Sequence, residues 1–242
     1  MAADPLPSKN QINKCGELVR GAWHDGVDAS DADLERALTV IEAFRAAHSY
    51  PLVKVRLGLQ SMIRTEIAHE AIGQRLKRVP RIVRKLHRTS QTSTGTTALA
   101  RLEDIGGVRA VLADGAELDR VRSRIERNWS KDFKRDPRDY IVNPKDIGYR
   151  AVHIVVKRDD RPIEVQLRTR GQQQWADAIE AADARLGMNL KDGNGPDEMI
   201  DYFGAAGEVI YRREYGLEIP SELRARFDAA RGAVVAAGHY RA

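Results

Sequence analysis

Apolar residues recur at helical spacing through the first and last thirds of the chain. Near the N-terminus, one stripe follows a capping sequence at residues 30–33, and a second stripe follows Pro51. Three further stripes begin at Trp175, Met199 and Leu223 and keep the same spacing. The pattern predicts helices on both sides of a differently patterned central segment.

The central third has the patterning of short strands. Residues 107–112 predict a buried strand, and residues 151–157 and 162–169 predict a hairpin with a tight polar turn. A short helix is predicted from residue 79, and the segment 89–97, rich in Ser, Thr and Gly, predicts a mobile loop. This order of elements predicts an α+β fold with helical flanks.

We expect a single domain with three parts. They are a helical N-terminal part at 8–71, a catalytic α/β core at 72–176, and C-terminal helices at 177–242. The C-terminal helices could pair between subunits in an oligomer or cover the sheet, and the pattern leaves both arrangements open.

The composition describes a globular chain. Hydrophobic residues make up 42% of the 242 positions, which is enough for a packed core. No apolar run approaches the roughly 20 residues needed to cross a bilayer, and the first residues lack the features of a signal peptide. Cys15 is the single cysteine, so an internal disulfide is excluded. We therefore expect a cytoplasmic protein with no membrane partner.

Three polar residues, Glu164, Gln166 and Arg168, alternate with apolar residues along the second strand of the predicted hairpin. Strand geometry puts all three on one face. A two-residue turn at 159–160 would set His153 opposite Gln166, with Glu164 diagonal to it. A solvated face is the ordinary interpretation of one such strand. An acid, an amide, a guanidinium and an imidazole together also suit the binding of a metal and a phosphate.

A second acid, Asp104, stands just before the predicted strand at 107–112. Two carboxylates from separate elements can hold a Mg²⁺ ion that also binds substrate phosphates. Asp104 and Glu164 are therefore candidate ligands. The pair Gly106-Gly107 between them could allow close approach of a ligand, or form a plain turn.

The net charge of +5 is unevenly distributed, since residues 75–88 carry seven Lys or Arg and no acid. Such a block is often a solvated face, but transfer of phosphoryl groups requires charge neutralisation of this kind. Arg75 and Lys77 share a face if their segment is extended. Further along, Tyr149 offers a ring on which a base could stack, in a loop that Gly148 helps to shape.

These elements, in this order, resemble the synthetase domain of the RelA/SpoT family, whose members make (p)ppGpp alarmones. The resemblance rests on Asp-Tyr-Ile, Pro-Lys, Gly-Tyr-Arg and His within residues 139–153, followed by Ile-Glu-Val-Gln-Leu-Arg-Thr at 163–169 and then Trp175. It spans residues 75 to 175. It implies a mixed sheet of nucleotidyltransferase-like type, flanked by N- and C-terminal helices.

The resemblance also implies a role for each matching residue. The implied set is Arg75 and Arg109 around the adenine of ATP; Lys77, Lys85, Gln166 and Arg168 on the ATP side; Asp104 and Glu164 as Mg²⁺ ligands; and Lys145, Tyr149 and His153 at the acceptor. Glu164 is further implied as the general base, which takes the proton of a 3′-hydroxyl. That hydroxyl attacks the β-phosphorus of ATP, and AMP leaves.

Three residues depart from the family pattern. Many alarmone synthetases have Asn, Ser and Ser where this chain has Ile147, Ala151 and Arg81. These departures put the acceptor in question. It is GDP or GTP in an alarmone synthetase, and the 3′ end of tRNA in toxic small members, which a partner antitoxin neutralises.

A hypothesis of another class is an inactive regulator that binds nucleotides, against which the intact Asp104 and Glu164 argue. A hydrolase domain of the kind found in longer family members is not expected. The pair His24-Asp25 lacks the further metal ligands that such a domain requires, and His24 is interpreted as a surface or core residue.

Overall fold

A computed structural model describes residues 7–67, 71–91 and 98–239. Within these residues lie eight α-helices: α1 Lys9–His24, α2 Asp31–Ala46, α3 Ser49–Arg64, α4 Val79–Ser90, α5 Gly115–Trp129, α6 Arg170–Leu186, α7 Asp197–Glu214 and α8 Ser221–Ala236. The same residues contain five strands: β1 Ala71–Leu76, β2 Gly106–Leu112, β3 Arg138–Asp139, β4 Val152–Arg158 and β5 Arg161–Thr169. Residues 92–97 of the predicted mobile loop lie outside the described residues.

The strands form one sheet in the order β1-β2-β5-β4-β3. β2 and β5 run parallel, and the other neighbours are antiparallel, so the predicted mixed sheet is confirmed. Asp159 and Asp160 join β4 to β5 with φ angles of 45° and 60°. Two residues with positive φ make the tightest kind of hairpin turn, and this turn places His153 opposite Gln166 as predicted.

One face of the sheet is apolar and packs on α3 and α5. Alternate residues of β2, β4 and β5 supply this face because side chains alternate along a strand. A second core joins α1, α2 and α4, and a third joins α6 and α7 with a contribution from α8. The opposite face of the sheet is polar and carries the predicted site residues Glu164, Gln166 and His153.

Local sequence signals explain where several helices begin. Ser30 accepts a hydrogen bond from the backbone of Asp33 and caps α2, as the sequence predicts. Pro80 lies in the first turn of α4, where its missing N–H costs nothing. Thr169 and Gln172 form a capping box that starts α6 directly after β5.

The two boundaries between the three predicted parts of the chain fall inside a strand and a helix of the fold. β1 begins at Ala71, the last residue of the predicted helical part, and α6 continues across the boundary predicted at 176/177. In the described part of the chain, helices that are long and apolar enough to cross a membrane are absent.

Candidate active site

Strand register brings the predicted site residues to the polar face of the sheet. Glu164 lies beside Gly107 of β2, and Gly107 in turn lies opposite Arg75 of β1. Gln166 lies between Arg109 of β2 and His153 of β4. Because Gly107 has no side chain, the space over the sheet between Arg75 and Glu164 is open to a ligand.

Glu164 is held as a carboxylate by its neighbours. Its Oε2 accepts a hydrogen bond from Nε2 of Gln166 at 2.7 Å, and its Oε1 lies 2.9 Å from Nδ1 of His153. Burial alone would raise the pKa of Glu164, as would the charge of Asp104. The contacts with His153 and Gln166 outweigh both, so the pKa lies below its ordinary value. Glu164 is therefore ionised at neutral pH.

His153 connects this carboxylate to Tyr149. An ionised carboxylate can only accept, so Nδ1 of His153 must be the donor to Glu164. Nε2 of a neutral His153 then accepts from the Tyr149 hydroxyl at 2.7 Å, and the hydroxyl oxygen accepts from Arg168 at 2.9 Å. Burial raises the pKa of Tyr149, which keeps the phenol protonated as this arrangement requires.

Asp104 lies between two lysines from different elements. Its Oδ2 is 2.7 Å from Nζ of Lys85 on α4 and is also bonded by Nζ of Lys77, which follows β1. Burial would raise the pKa of Asp104, but the charges of Lys85 and Lys77 hold it below the usual range. The second oxygen, Oδ1, is buried and has no hydrogen-bond partner.

The two carboxylates suit a magnesium ion better than a metal with an all-protein cage. Groups of three or more His, Cys, Asp or Glu that could hold a metal are absent from the described residues. Magnesium, however, is commonly bound by one or two carboxylates, with substrate phosphates and water as its other ligands. The unpartnered Oδ1 of Asp104 and the ionised Glu164 meet that requirement.

Arg75 and Arg109 lie on the neighbouring strands β1 and β2, close enough for the charge of Arg75 to act on Arg109. Burial and the charges of Arg168 and Arg75 lower the pKa of Arg109, whose buried Nε has no hydrogen-bond partner. Glu180 of α6 interacts electrostatically with both Arg75 and Arg109 and pairs with Lys191. Sequence reasoning missed Glu180 because it belongs to no motif and reaches the site only through the packing of α6.

Residues 145–149, here called the acceptor loop, form another side of the site. Lys145 places its Nζ 4.5 Å from the ring centre of Tyr140 and 5.7 Å from that of Tyr149. Tyr140 also meets the His153 ring edge-on at 5.2 Å. Tyr140 was not singled out from the sequence, although it stands in the Asp-Tyr-Ile motif. Gln173, which accepts from Arg168 at 3.0 Å, was missed as well.

The three residues that depart from the family pattern have different surroundings. Arg81 is exposed on α4, and Ala151 is fully buried just before β4. Ile147 is half-buried in the acceptor loop. Of the three, Ile147 is the one inside the loop that carries Lys145 and Tyr149.

Comparison with known proteins shows what this chain is similar to. Residues 74–185 match the model of the region found in RelA/SpoT proteins. The GTP pyrophosphokinase YjbM of Bacillus subtilis is 28% identical over 192 residues, which cover 75% of this chain and 86% of that protein. A GTP pyrophosphokinase of Haemophilus influenzae is 29% identical over 141 residues, which cover 56% of this chain and 17% of that protein.

Solved structures give the same result for the fold. Small alarmone synthetase 1 of Bacillus subtilis bound to its product pppGpp superposes with a TM-score of 0.54 at 25% identity, covering 72% of this chain and 90% of that chain. A second structure of small alarmone synthetase 1 gives a TM-score of 0.57 at 24% identity, covering 78% and 97% respectively. The predicted α+β fold with a mixed sheet and helical flanks is confirmed.

Proposed function

Because this chain carries the region found in RelA and SpoT proteins, we propose that it is an ATP-dependent pyrophosphokinase acting on a 3′-hydroxyl. GDP or GTP is the proposed acceptor, and the product is the corresponding (p)ppGpp alarmone. The 3′-oxygen forms a bond to the β-phosphorus of ATP, and the bond between that phosphorus and the bridging oxygen of the α-phosphate breaks. AMP leaves with that oxygen.

The observation that carries the proposal is the pair of ionised carboxylates, each with its own supporting groups. Glu164 is held by His153 and Gln166, and Asp104 is held by Lys77 and Lys85. Each carboxylate stays ionised and could hold a Mg²⁺ ion, which would offset the negative charges of the ATP phosphates. Transfer of phosphoryl groups depends chiefly on such positioning and charge neutralisation.

Asp104 and Glu164 would hold a Mg²⁺ ion, which when bound neutralises the phosphates and polarises the reacting phosphorus. Lys77 and Lys85 already lie at this position and would bind the β- and γ-phosphate oxygens. Burial is the main cause of the lowered pKa of the half-buried Lys77, even beside Asp104, so an added phosphate would favour the charged form of this lysine.

Glu164 is also the proposed base. It would take the proton of the 3′-hydroxyl as the bond to phosphorus forms. A lowered pKa makes a carboxylate a weak base, but it ensures that the group is ionised and able to accept. The orientation of the Glu164 carboxylate would be held by His153, which is hydrogen-bonded to Tyr149, which in turn accepts from Arg168.

The acceptor is proposed to bind beside Lys145. The rings of Tyr140 and Tyr149 lie next to the Lys145 ammonium, which gives an aromatic surface with a cation at its edge. Such a surface suits a purine with phosphates. The adenine of ATP is assigned to the other side, between Arg75 and Arg109.

One observation favours a second candidate, transfer to the 3′ end of tRNA. Four arginines on or just before α4 are exposed, in addition to the Lys85 that turns toward Asp104: Arg78, Arg81, Arg84 and Arg88. A basic surface beyond what ATP needs fits an acceptor with many phosphates. In that case the protein would be a translation-blocking toxin with an antitoxin partner.

The test is an incubation of purified protein with Mg²⁺ and ATP labelled at the β- or γ-phosphate, with GDP, GTP or deacylated tRNA supplied separately. Label on GDP or GTP with release of one AMP per transfer supports the leading proposal. Label on tRNA alone supports the second candidate. Label on none of the three contradicts both and returns the inactive regulator as the remaining hypothesis.

A further inference from the structure

Ile147 has a backbone conformation that its side chain disfavours. Its φ is 57° and its ψ is 16°, which lies in the left-handed region. Glycine and asparagine adopt this region readily, whereas a β-branched residue there is a genuine outlier. Such a conformation persists only where the surroundings hold it in place.

The surroundings that hold Ile147 are on α6 and α7. Its side chain packs against an apolar cluster that we call the α6–α7 cluster, defined by Trp175, Ile179, Met199 and Phe203. The cluster is itself fixed, because the indole of Trp175 donates to the carbonyl of Phe203 at 2.8 Å. Ile147 and Tyr149 are thus two side chains by which the acceptor loop contacts this part of the fold, and Ile147 is the one with the disfavoured backbone.

The loop backbone also lies directly against α7. Gly148, with a φ of 87°, approaches the carbonyl of Gly204 so closely that a Cβ would stand 3.2 Å from its oxygen. From the other side, a Cβ on Gly207 would come within 2.5 Å of the Gly148 carbonyl oxygen. The missing side chain of Gly207 therefore leaves room for the loop, whose Gly148 also lies against the backbone of Gly204.

Backbone hydrogen bonds close the loop and fix the relative positions of Lys145 and Tyr149 at its two ends. The amide of Lys145 donates to the carbonyl of Tyr149 at 3.1 Å, and the amide of Gly148 donates to the carbonyl of Lys145 at 3.0 Å. Lys145 and Tyr149 are thereby paired side by side. The Tyr149 hydroxyl then continues to His153 and Glu164, so the loop position is transmitted to the carboxylate.

We propose that Ile147 is a positioning residue, whose packing in the α6–α7 cluster holds the acceptor loop closed and aims Lys145 and Tyr149 at the acceptor nucleotide. The part of this inference that concerns the acceptor rests on the proposed pyrophosphokinase function. The part that concerns the loop does not, since it follows from the backbone conformation and the packing alone.

The first test compares Ile147→Asn with the conservative variant Ile147→Leu. Asn accepts the left-handed backbone but loses the apolar anchor, whereas Leu keeps the anchor. In hydrogen exchange without any nucleotide, we expect the amides of Lys145 and Gly148 to exchange about tenfold faster in I147N and to stay near the wild-type rate in I147L. Unchanged exchange in I147N would overturn the inference.

The second test uses steady-state kinetics with the acceptor that the wild type uses. I147N should raise the KM for the acceptor by about tenfold and leave the KM for ATP within about twofold of the wild-type value. I147L should keep the wild-type KM for the acceptor. An equal rise in both KM values would indicate a general structural defect and contradict the inference. A wild type that transfers to no acceptor would refute the proposed function, while the exchange measurement would still decide the role of Ile147 in the loop.

A perturbation from the other side of the contact is independent of Ile147. Gly207→Ala places a methyl group against the Gly148 carbonyl, and we expect the same faster exchange at Lys145 and Gly148. Gly204→Ala is its matched control on the same helix, because its Cβ would meet only Nη2 of Arg226, at 3.9 Å. Exchange that is equally fast in both alanine variants would contradict the proposed docking of the loop on α7.

Discussion

The Glu164 carboxylate lies 2.9 Å from Nδ1 of His153, on the strand directly beside its own. This single contact fixes the tautomer of His153, because the carboxylate leaves Nδ1 no role but that of donor. In the neutral imidazole, Nε2 then accepts the hydrogen bond from the Tyr149 hydroxyl. The positions of three side chains from two strands and a loop depend on one another.

Tyr149→Phe tests this dependence. The variant keeps the ring but removes the hydroxyl that donates to His153, so we expect kcat to fall by about tenfold to a hundredfold with little change in the KM of the acceptor. Tyr140→Phe is the matched control and should change kcat by less than about twofold. A rise in acceptor KM at unchanged kcat in Y149F would show that the hydroxyl serves the acceptor instead of Glu164.

The arginine pair predicts a separable effect on ATP. Arg109→Ala should weaken ATP binding by about tenfold, measured by calorimetry without an acceptor, because it removes a half-buried guanidinium from the proposed adenine site. Arg84→Ala removes an exposed guanidinium from α4 and should leave the Kd for ATP unchanged. Equal Kd values for R109A and wild type would place the adenine elsewhere.

The two acceptor candidates predict opposite results for Arg84→Gln. If GDP or GTP is the acceptor, the exposed Arg84 is not needed and transfer to GTP stays unchanged. If tRNA is the acceptor, the slope of log K against log salt concentration for tRNA binding should become shallower by about one unit. Arg120→Gln, on α5 behind the opposite face of the sheet, should leave that slope as it is.

His48 predicts a pH dependence of stability. Burial, with a smaller contribution from the charge of Arg161, lowers the pKa of His48 from its ordinary value of 6.5 to about 4. Between pH 6.5 and pH 4, His48 binds a proton in the unfolded chain but stays neutral in the folded chain. His48 therefore costs up to about 3 kcal/mol of unfolding free energy as the pH falls from 6.5 to 4.

The comparison variant is His48→Asn, whose amide can still donate to the Phe44 carbonyl that His48 Nδ1 contacts at 2.9 Å. Denaturant unfolding at pH 7 and at pH 4.5 should show a smaller loss of stability for H48N than for the wild type. Equal losses in the two proteins would mean that His48 is protonated in the folded state.

The parts of the site that depend on one hairpin could be predicted from the sequence. Strand alternation and a two-residue turn are local rules, and together they place His153 opposite Gln166 on the face of Glu164. The resemblance supplied the roles, and the matching residues come from the polar face of the sheet and the segments that border it. Their individual roles remain predictions.

The rest depends on how separate elements pack. Lys85 reaches Asp104 because the fold places α4 near the residues that precede β2. Neither spacing nor composition predicts the short distance between the Lys85 ammonium and the Asp104 carboxylate. Glu180 likewise approaches Arg109 only through the position of α6. The left-handed backbone of Ile147 contradicts its local preference and arises from the contact with α6 and α7.

The most direct measurement is transfer of the labelled diphosphate from ATP to GDP or GTP by the wild type, by Glu164→Gln and by Glu35→Gln. Glu35 is an exposed carboxylate on α2, so its variant controls for the loss of one negative charge. We expect label on the nucleotide and release of AMP with the wild type and with E35Q, and a loss of about a thousandfold or more with a folded E164Q. Transfer by E164Q at the wild-type rate would contradict the proposed role of Glu164 and of the network built around it.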